Sequence, residues 1–319
     1  MEATELAMRA AAGLAIFLFA LTMLADELHK VAGEPVKRWI ERATERRARA
    51  IGIGAVATAV LDSSSGTIII VIGMLEAGLF TLERAIGIAM GANIGTAFGS
   101  QVIALQITSY SGAIVLAGFI ARVVGRRHPR VRAWASIVFA IGLVLFGLQQ
   151  MAEAAAPLKG NPKVVASVQT LKDPINGALV GAILTAIIQS SSATVGMAVV
   201  LAAEGVISLP VGAAVMLGAE VGTCLDVLIA SIGRSRETLR LGLWQLLFNV
   251  TAAAIGLLLL PIITLAATAL SSEVPRQIAH AQLIFNLGSV LLFAPFVPWI
   301  VRALERLVPP SQHDQPACI

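Results

Sequence analysis

With 319 residues, 57% of them hydrophobic and only 13% charged, the chain is far from a soluble domain, in which about 25% of residues are charged. The formal net charge of +4 and mean hydropathy of +0.85 go with arginine-rich loops, which report membrane orientation and imply no nucleic-acid partner. Two cysteines in unlike settings, Cys224 in an apolar span and penultimate Cys318, speak against a disulfide framework, a cysteine metal site and prenylation.

The start, Met1 to Glu5, lacks a basic cap, and Leu24-Ala25-Asp26-Glu27 lacks a small-x-small cleavage site, so residues 10–28 are expected to stay as a first span. From Lys30 to Ala50, seven Lys or Arg mix with Glu34, Glu41 and Glu45. Arg38, Arg42, Arg46 and Arg49 fall at helical spacing, which predicts an amphipathic helix on the membrane face. Residues 51–79 are apolar but broken by Asp62-Ser63-Ser64-Ser65-Gly66-Thr67. Each arm is shorter than the about 20 residues a bilayer crossing needs, so a re-entrant hairpin with a polar tip is expected. Residues 82–107 are long enough to cross, with glycines at 87, 91, 95 and 99 interrupting them, and 110–125 cross again before a basic loop, Arg122 to Arg132. Then come a span at 133–152, a polar segment at 153–174, a second hairpin at 175–207, a second interrupted helix at 209–232, and spans at 238–260 and 280–301.

The second hairpin carries Gln189-Ser190-Ser191-Ser192-Ala193-Thr194, 127 positions after Asp62 to Thr67. The same offset pairs Gly91-Ala92-Asn93-Ile94-Gly95-Thr96 with Gly218-Ala219-Glu220-Val221-Gly222-Thr223, and Thr58 with Thr185. The chain is therefore an internal duplication: repeat 1 at 1–132, repeat 2 at 133–319 with an extra C-terminal helix. The basic stretches 29–50, 122–132, 233–240 and 302–306 share one side if the hairpins do not cross, which makes that side the cytoplasm. The fold class expected is all-α integral membrane with about seven crossings, the N-terminus outside and the C-terminus inside a cell (inner) membrane. Three crossings in the first copy turn the second upside down, the inverted-repeat plan of secondary transporters.

A break in a membrane helix is tolerated only where protein or a water-filled cavity surrounds it. Ser63, Ser64 and Ser65, with Ser190, Ser191 and Ser192, can cap the half-helices that follow and present free N–H groups to an oxyanion. No Lys or Arg occurs from Ile51 to Leu82 or from Ile175 to Ser231, so dipoles, hydroxyls and co-bound cations must hold the anion. Gly91–Thr96 and Gly218–Thr223 can unwind and aim carbonyls at a cation. Thr58, Thr185 and the Gln189 amide add oxygen ligands of the hard type. An anion and a small cation at one site make a symporter.

At these motifs the chain resembles the type II sodium-dependent phosphate cotransporters, over nearly its whole length. Gln189–Thr194 match that family's Gln-Ser-Ser-Ser hairpin, Gly91–Thr96 match its Gly-Ala-Asn-Ile-Gly-Thr motif, and Phe248-Asn249 and Phe285-Asn286 look like its His-x-x-Phe-Asn signatures. The resemblance implies two inverted hairpin-containing repeats and sodium-coupled uptake of inorganic phosphate at a midplane site. Substrate contacts then fall to Ser63, Ser64, Ser65, Thr67, Gln189, Ser190, Ser191, Ser192 and Thr194. Cation binding or coupling falls to Thr58, Asp62, Asn93, Thr96, Thr185, Glu220, Thr223 and Asp226. Transported sodium is the sole metal expected, with no cofactor; a homo-oligomer is compatible.

Departures from the pattern open other readings. Asp62 stands where a Gln is expected, Glu220 where an Asn is expected, and Gln245 and Gln282 at the His positions, with His280 displaced by two. Asp226 adds another acid, and acids at membrane depth usually mark a pathway. Three carboxylates around phosphate would repel it unless cations or protons offset them. Proton coupling, an altered substrate such as a phosphonate or other oxyanion, and a non-transporting sensor or scaffold are the alternatives. An enzyme is not expected: His29, His128, His280 and His313 are scattered on loops, ends and the tail, and no base accompanies the serines. Asp62 reads equally as a structural cap, and Asn249 as a helix-packing polar group.

Overall fold

Inside hydrocarbon a backbone must satisfy its own polar groups, so apolar stretches of this length have helices as their main solution. The computed structural model describes residues 3–41, 47–105, 107–159 and 161–309, and among these it holds helices and no strand. Seven helices among the described residues are long and apolar enough to cross a membrane: Thr4–Glu41, Leu82–Ile103, Ile107–Arg127, Pro129–Leu158, Leu209–Ser231, Arg236–Leu258 and Val274–Leu307. They fall where the seven expected crossings fall.

The first helix, α1 (Ala3–Glu41), overruns its expected end. No separate surface helix begins near Lys30, because Val36 and Ile40 are fully buried in one core with Ala57, Ile72 and Ile86 and hold the chain helical through Glu41. Of the expected amphipathic face, Arg38 lies on α1 and Arg49 on the helix that begins at Arg47, while Arg42, Glu45 and Arg46 lie outside the described residues. His313 and Cys318 lie outside them too.

Next come α2 (Arg47–Leu61), α3 (Ser64–Glu76) and α4 (Leu82–Ile103). Asp62 ends α2 in the left-handed region at φ 48°, and Ser63 turns extended to start α3. The Ser63 hydroxyl accepts the Gly66 N–H at 3.0 Å, a serine N-cap. One offset later the same turn recurs between α8 (Pro174–Ile188) and α9 (Ser191–Ala203). Gln189 has φ 58°, and the Ser190 hydroxyl accepts the Ala193 N–H at 3.2 Å. The caps differ by one degree: φ −150° and ψ 109° at Ser63, φ −150° and ψ 110° at Ser190.

Helix α4 runs unbroken, so Gly91–Thr96 is helical and not unwound, contrary to the expectation for a cation-binding stretch. The glycines serve packing instead. A Cβ on Gly91 would overlap the Ile51 carbonyl oxygen, and one on Gly95 would stand 2.6 Å from that of Ala55. Ile51 facing Gly91 and Ala55 facing Gly95 means that α2 and α4 run in the same direction. The second copy repeats this with α10 (Leu209–Gly222). Gly218 meets the Ala178 oxygen, and a Cβ on Gly222 would be 2.6 Å from that of Ala182. Only here does the helix step, at Thr223, before α11 (Cys224–Ser231). Gly91→Leu should lower stability by about 3 kcal/mol or more through overpacking. Thermal unfolding of the purified variant checks this; a melting temperature equal to wild type would show that the helices slide apart freely.

The remaining helices are α5 (Ser111–Val124), α6 (Pro129–Ala155), α7 (Pro162–Thr170), α12 (Arg236–Leu258), α13 (Leu260–Leu270), α14 (Val274–Phe293) and α15 (Val297–Leu307). The polar segment 153–174 holds α7, which meets α8 at 103°, and the stretch after α12 holds α13, which is apolar and helical. Helices α1 and α6, matched by the 127-residue offset, pack antiparallel, with Gly13 on Gln150 and Gly147 on Phe17. One apolar core joins α1, α6, α9, α10, α13 and α14, and another joins α2, α3, α4, α11, α12 and α15.

Candidate functional site

The two polar turns meet. A cavity of about 350 Å³ is lined by Asp62 and Ser63 from the first turn and Ile188, Gln189, Ser190 and Ser192 from the second. Leu18, Leu21, Thr22 and Ala25 of α1 close one wall. Ser63 and Ser190 cap α3 and α9, so the positive ends of both helices border one space. No Lys or Arg lines it.

The other candidate residues divide by what they touch. The Thr58 hydroxyl donates to Thr67 Oγ1 at 2.9 Å, and that of Thr185 to Thr194 Oγ1 at 2.7 Å. The Thr67 and Thr194 hydroxyls donate in turn to the carbonyls of Ser63 and Ser190. These four buried threonines clamp each turn shut from behind and lie outside the cavity lining. Ser191 is buried at the first turn of α9, and Ser64 is half-buried at the start of α3. Ser65 donates to Asp226 Oδ2 at 3.3 Å and ties α11 to the first turn. The three carboxylates therefore do not ring one spot, as the sequence reading expected. Of the three, only Asp62 lines the cavity between the turns.

A second symmetry lies deeper. The sequences Gln245-Leu246-Leu247-Phe248-Asn249 and Gln282-Leu283-Ile284-Phe285-Asn286 place a Gln and an Asn four apart, on one face of α12 and of α14. Each pair grips the residue at the matched position of one repeat. Gln245 Nε2 donates to Asn93 Oδ1 at 3.0 Å, and Asn93 Nδ2 donates to Asn249 Oδ1 at 3.4 Å. Asn249 then donates to Cys224 Sγ at 3.1 Å. In the other copy Gln282 Nε2 and Asn286 Nδ2 both donate to Glu220 Oε1, at 2.8 and 3.1 Å. A carboxylate accepts only, so both amides must turn their N–H groups toward it. Gln245 Oε1, Gln282 Oε1 and Asn286 Oδ1 are left buried without a partner among the described residues. Glu220 itself is 2% exposed, and no Lys or Arg pairs with it among the described residues. Thr96 and Thr223 donate back to the carbonyls of Asn93 and Glu220, at 2.6 and 2.8 Å.

A residue outside the sequence expectations joins the first turn. His29 lies within α1 and not on a loop or end. Its Nδ1–H donates to the Ala25 carbonyl at 3.3 Å. A Cβ on Gly66 would be 2.6 Å from His29 Cε1 and 3.1 Å from Nε2, so the imidazole covers the first turn of α3. Its separation of 37 residues from Gly66 hid this contact from sequence reasoning.

Residues 16–153 and 160–294 both match the family described as Na+/Pi-cotransporter. The chain belongs to the Na+/Pi-cotransporter family. The "Uncharacterized protein YqeW" of Bacillus subtilis is 30% identical over 92% of this family member and 95% of its own length. YjbB of Escherichia coli, provisionally named an inorganic phosphate export protein, is 26% identical over 90% of this chain. The chain spans only 52% of that relative. Sodium-dependent phosphate transport protein 2B of Homo sapiens is 32% identical over 92 residues, 28% of this chain and 13% of that protein. No solved structure matches.

Proposed function

We propose that this cotransporter family member is a secondary active symporter moving inorganic phosphate with sodium through the cavity between the two turns. The observation that carries the reading is the shared cavity, bordered by two capped helix ends. A desolvated anion there meets N–H dipoles and serine hydroxyls from both repeats, which is sufficient for an oxyanion without a fixed cation. Glu220 with the unpartnered Gln282 and Asn286 oxygens supplies hard ligands for the coupling cation. In this reading repeat 1 (1–132) and repeat 2 (133–319) enter the inner membrane with opposite sense, hairpins re-entrant, N-terminus outside. Antiparallel α1 and α6 and the parallel α2–α4 and α8–α10 pairs support it. No cofactor is required.

Labelled phosphate uptake into proteoliposomes tests this. An imposed inward sodium gradient should drive accumulation above the equilibrium level, and collapse of the gradient should release it. Equal uptake with potassium in place of sodium would exclude sodium coupling. A second reading rests on Asp62, a carboxylate on the wall of an anion cavity: the co-transported cation is a proton, or the substrate is an oxyanion other than phosphate. Asp62→Gln should then shift the cation or substrate preference, which competition by phosphonates in the same vesicles reads out.

A further inference from the structure

We propose that the cleft between α1 and the start of α6 is a binding site for the phosphate-bearing headgroup of an anionic lipid. The cleft encloses about 640 Å³ and is lined by Glu27, Lys30, Arg126, Arg130, Arg132 and Trp134, among others. Four cations thus face one carboxylate, and Glu27 is already engaged by Lys30 at 2.9 Å. Arg126, Arg130 and Arg132 make no ion pair among the described residues. An orientation signal needs only charge in a loop; here Lys30 from α1, Arg126 from the 125–127 turn, and Arg130 and Arg132 from α6 converge on a concave space. Guanidinium groups bind phosphate oxygens in pairs, so this donor set suits a phosphate monoanion or diester.

The surroundings select the lipid over free phosphate. The cleft lies where the candidate spans Ile107–Arg127 and Pro129–Leu158 meet, at the end of the apolar zone. Val124 (77% exposed), Val131 (51%) and Trp134 (58%) present apolar surface beside the cations. Acyl chains would lie along these side chains while the headgroup enters the cleft. Tryptophan at such a level matches its preference for the membrane interface, and basic pockets between spans hold anionic headgroups. This site is separate from the cavity between the polar turns, so it stands whether or not the transport reading holds.

The purified full chain in detergent is titrated with phosphatidylglycerol, phosphatidylcholine of the same acyl chains, and inorganic phosphate, and bound lipid is counted by native mass spectrometry. The wild type should retain phosphatidylglycerol and not phosphatidylcholine. Each basic residue near an anionic headgroup is worth about fivefold, so Arg126→Gln/Arg130→Gln/Arg132→Gln should weaken retention by roughly a hundredfold. Arg302→Gln/Arg306→Gln, on α15, should leave it unchanged. Equal retention by the triple variant, equal loss in the α15 pair, or no preference between the two lipids would overturn the site. Displacement of lipid by millimolar phosphate would overturn the lipid assignment in favour of a soluble anion. If the triple variant does not fold, the wild-type melting temperature decides. A rise with phosphatidylglycerol above that with phosphatidylcholine is expected, and equal values would overturn the proposal.

Discussion

Gln189→Ala is expected to lower sodium-driven phosphate uptake by roughly tenfold or more, with insertion and thermal stability close to wild type. The residue ends α8 in the left-handed region, and its backbone N–H donates to the Thr185 carbonyl at 2.6 Å. Alanine keeps that bond and tolerates φ 58° about as well as glutamine does. The side chain lies in the cavity wall and is exposed to it, so its removal takes away a donor and little packing. Loss of a hydrogen bond to a charged ligand costs about 1.5–3 kcal/mol, which sets the expected fold-change. Ser190→Ala is a less clean probe. It also removes the cap on the Ala193 N–H, at about 1 kcal/mol of helix stability. Full uptake by Gln189→Ala would place the anion elsewhere.

Glu220→Gln is expected to abolish the sodium dependence of uptake while the protein stays folded. The two side chains have nearly the same shape, and the new amide oxygen can still accept the Gln282 and Asn286 N–H bonds. Stability should therefore hold within about 1 kcal/mol of wild type or rise. Glu220→Leu, by contrast, leaves two buried amide donors without an acceptor and should cost about 2–4 kcal/mol. Uptake measured against sodium concentration separates the outcomes. A flat sodium response with normal melting assigns coupling to the carboxylate. An unchanged response makes Glu220 a strut between α10 and α14.

Much of this architecture is legible in the sequence, because the duplication repeats strong local signals. Asp62-Ser63 and Gln189-Ser190 announce a helix stop followed by a serine cap, and both form. Hydropathy places the seven candidate spans, since about 20 apolar residues in a row leave few alternatives. What was hidden depends on distant partners. Val36 and Ile40 extend α1 because they reach a core built from α2 to α4. Glycine spacing in α4 is compatible with unwinding and with close packing alike; only the Ile51 and Ala55 carbonyls decide between them. The grips of Gln245 and Asn249 on Asn93, and of Gln282 and Asn286 on Glu220, join helices far apart in the chain. The repeated Gln-x-x-x-Asn spacing was visible, but its targets were not. His29 and Gly66 meet only because α1 crosses the first hairpin.

In this reading both turns hold one anion, and the cation at Glu220 binds together with it. Equilibrium binding of labelled phosphate to the purified chain, with and without sodium, tests this in wild type, Gln189→Ala and Ser63→Gly, since glycine at the cap position costs only a few tenths of a kcal/mol. One phosphate per chain is expected, bound tightly only with sodium and weakened at least roughly tenfold by a change at either turn. Binding indifferent to sodium, or weakened by changes at one turn alone, would contradict it.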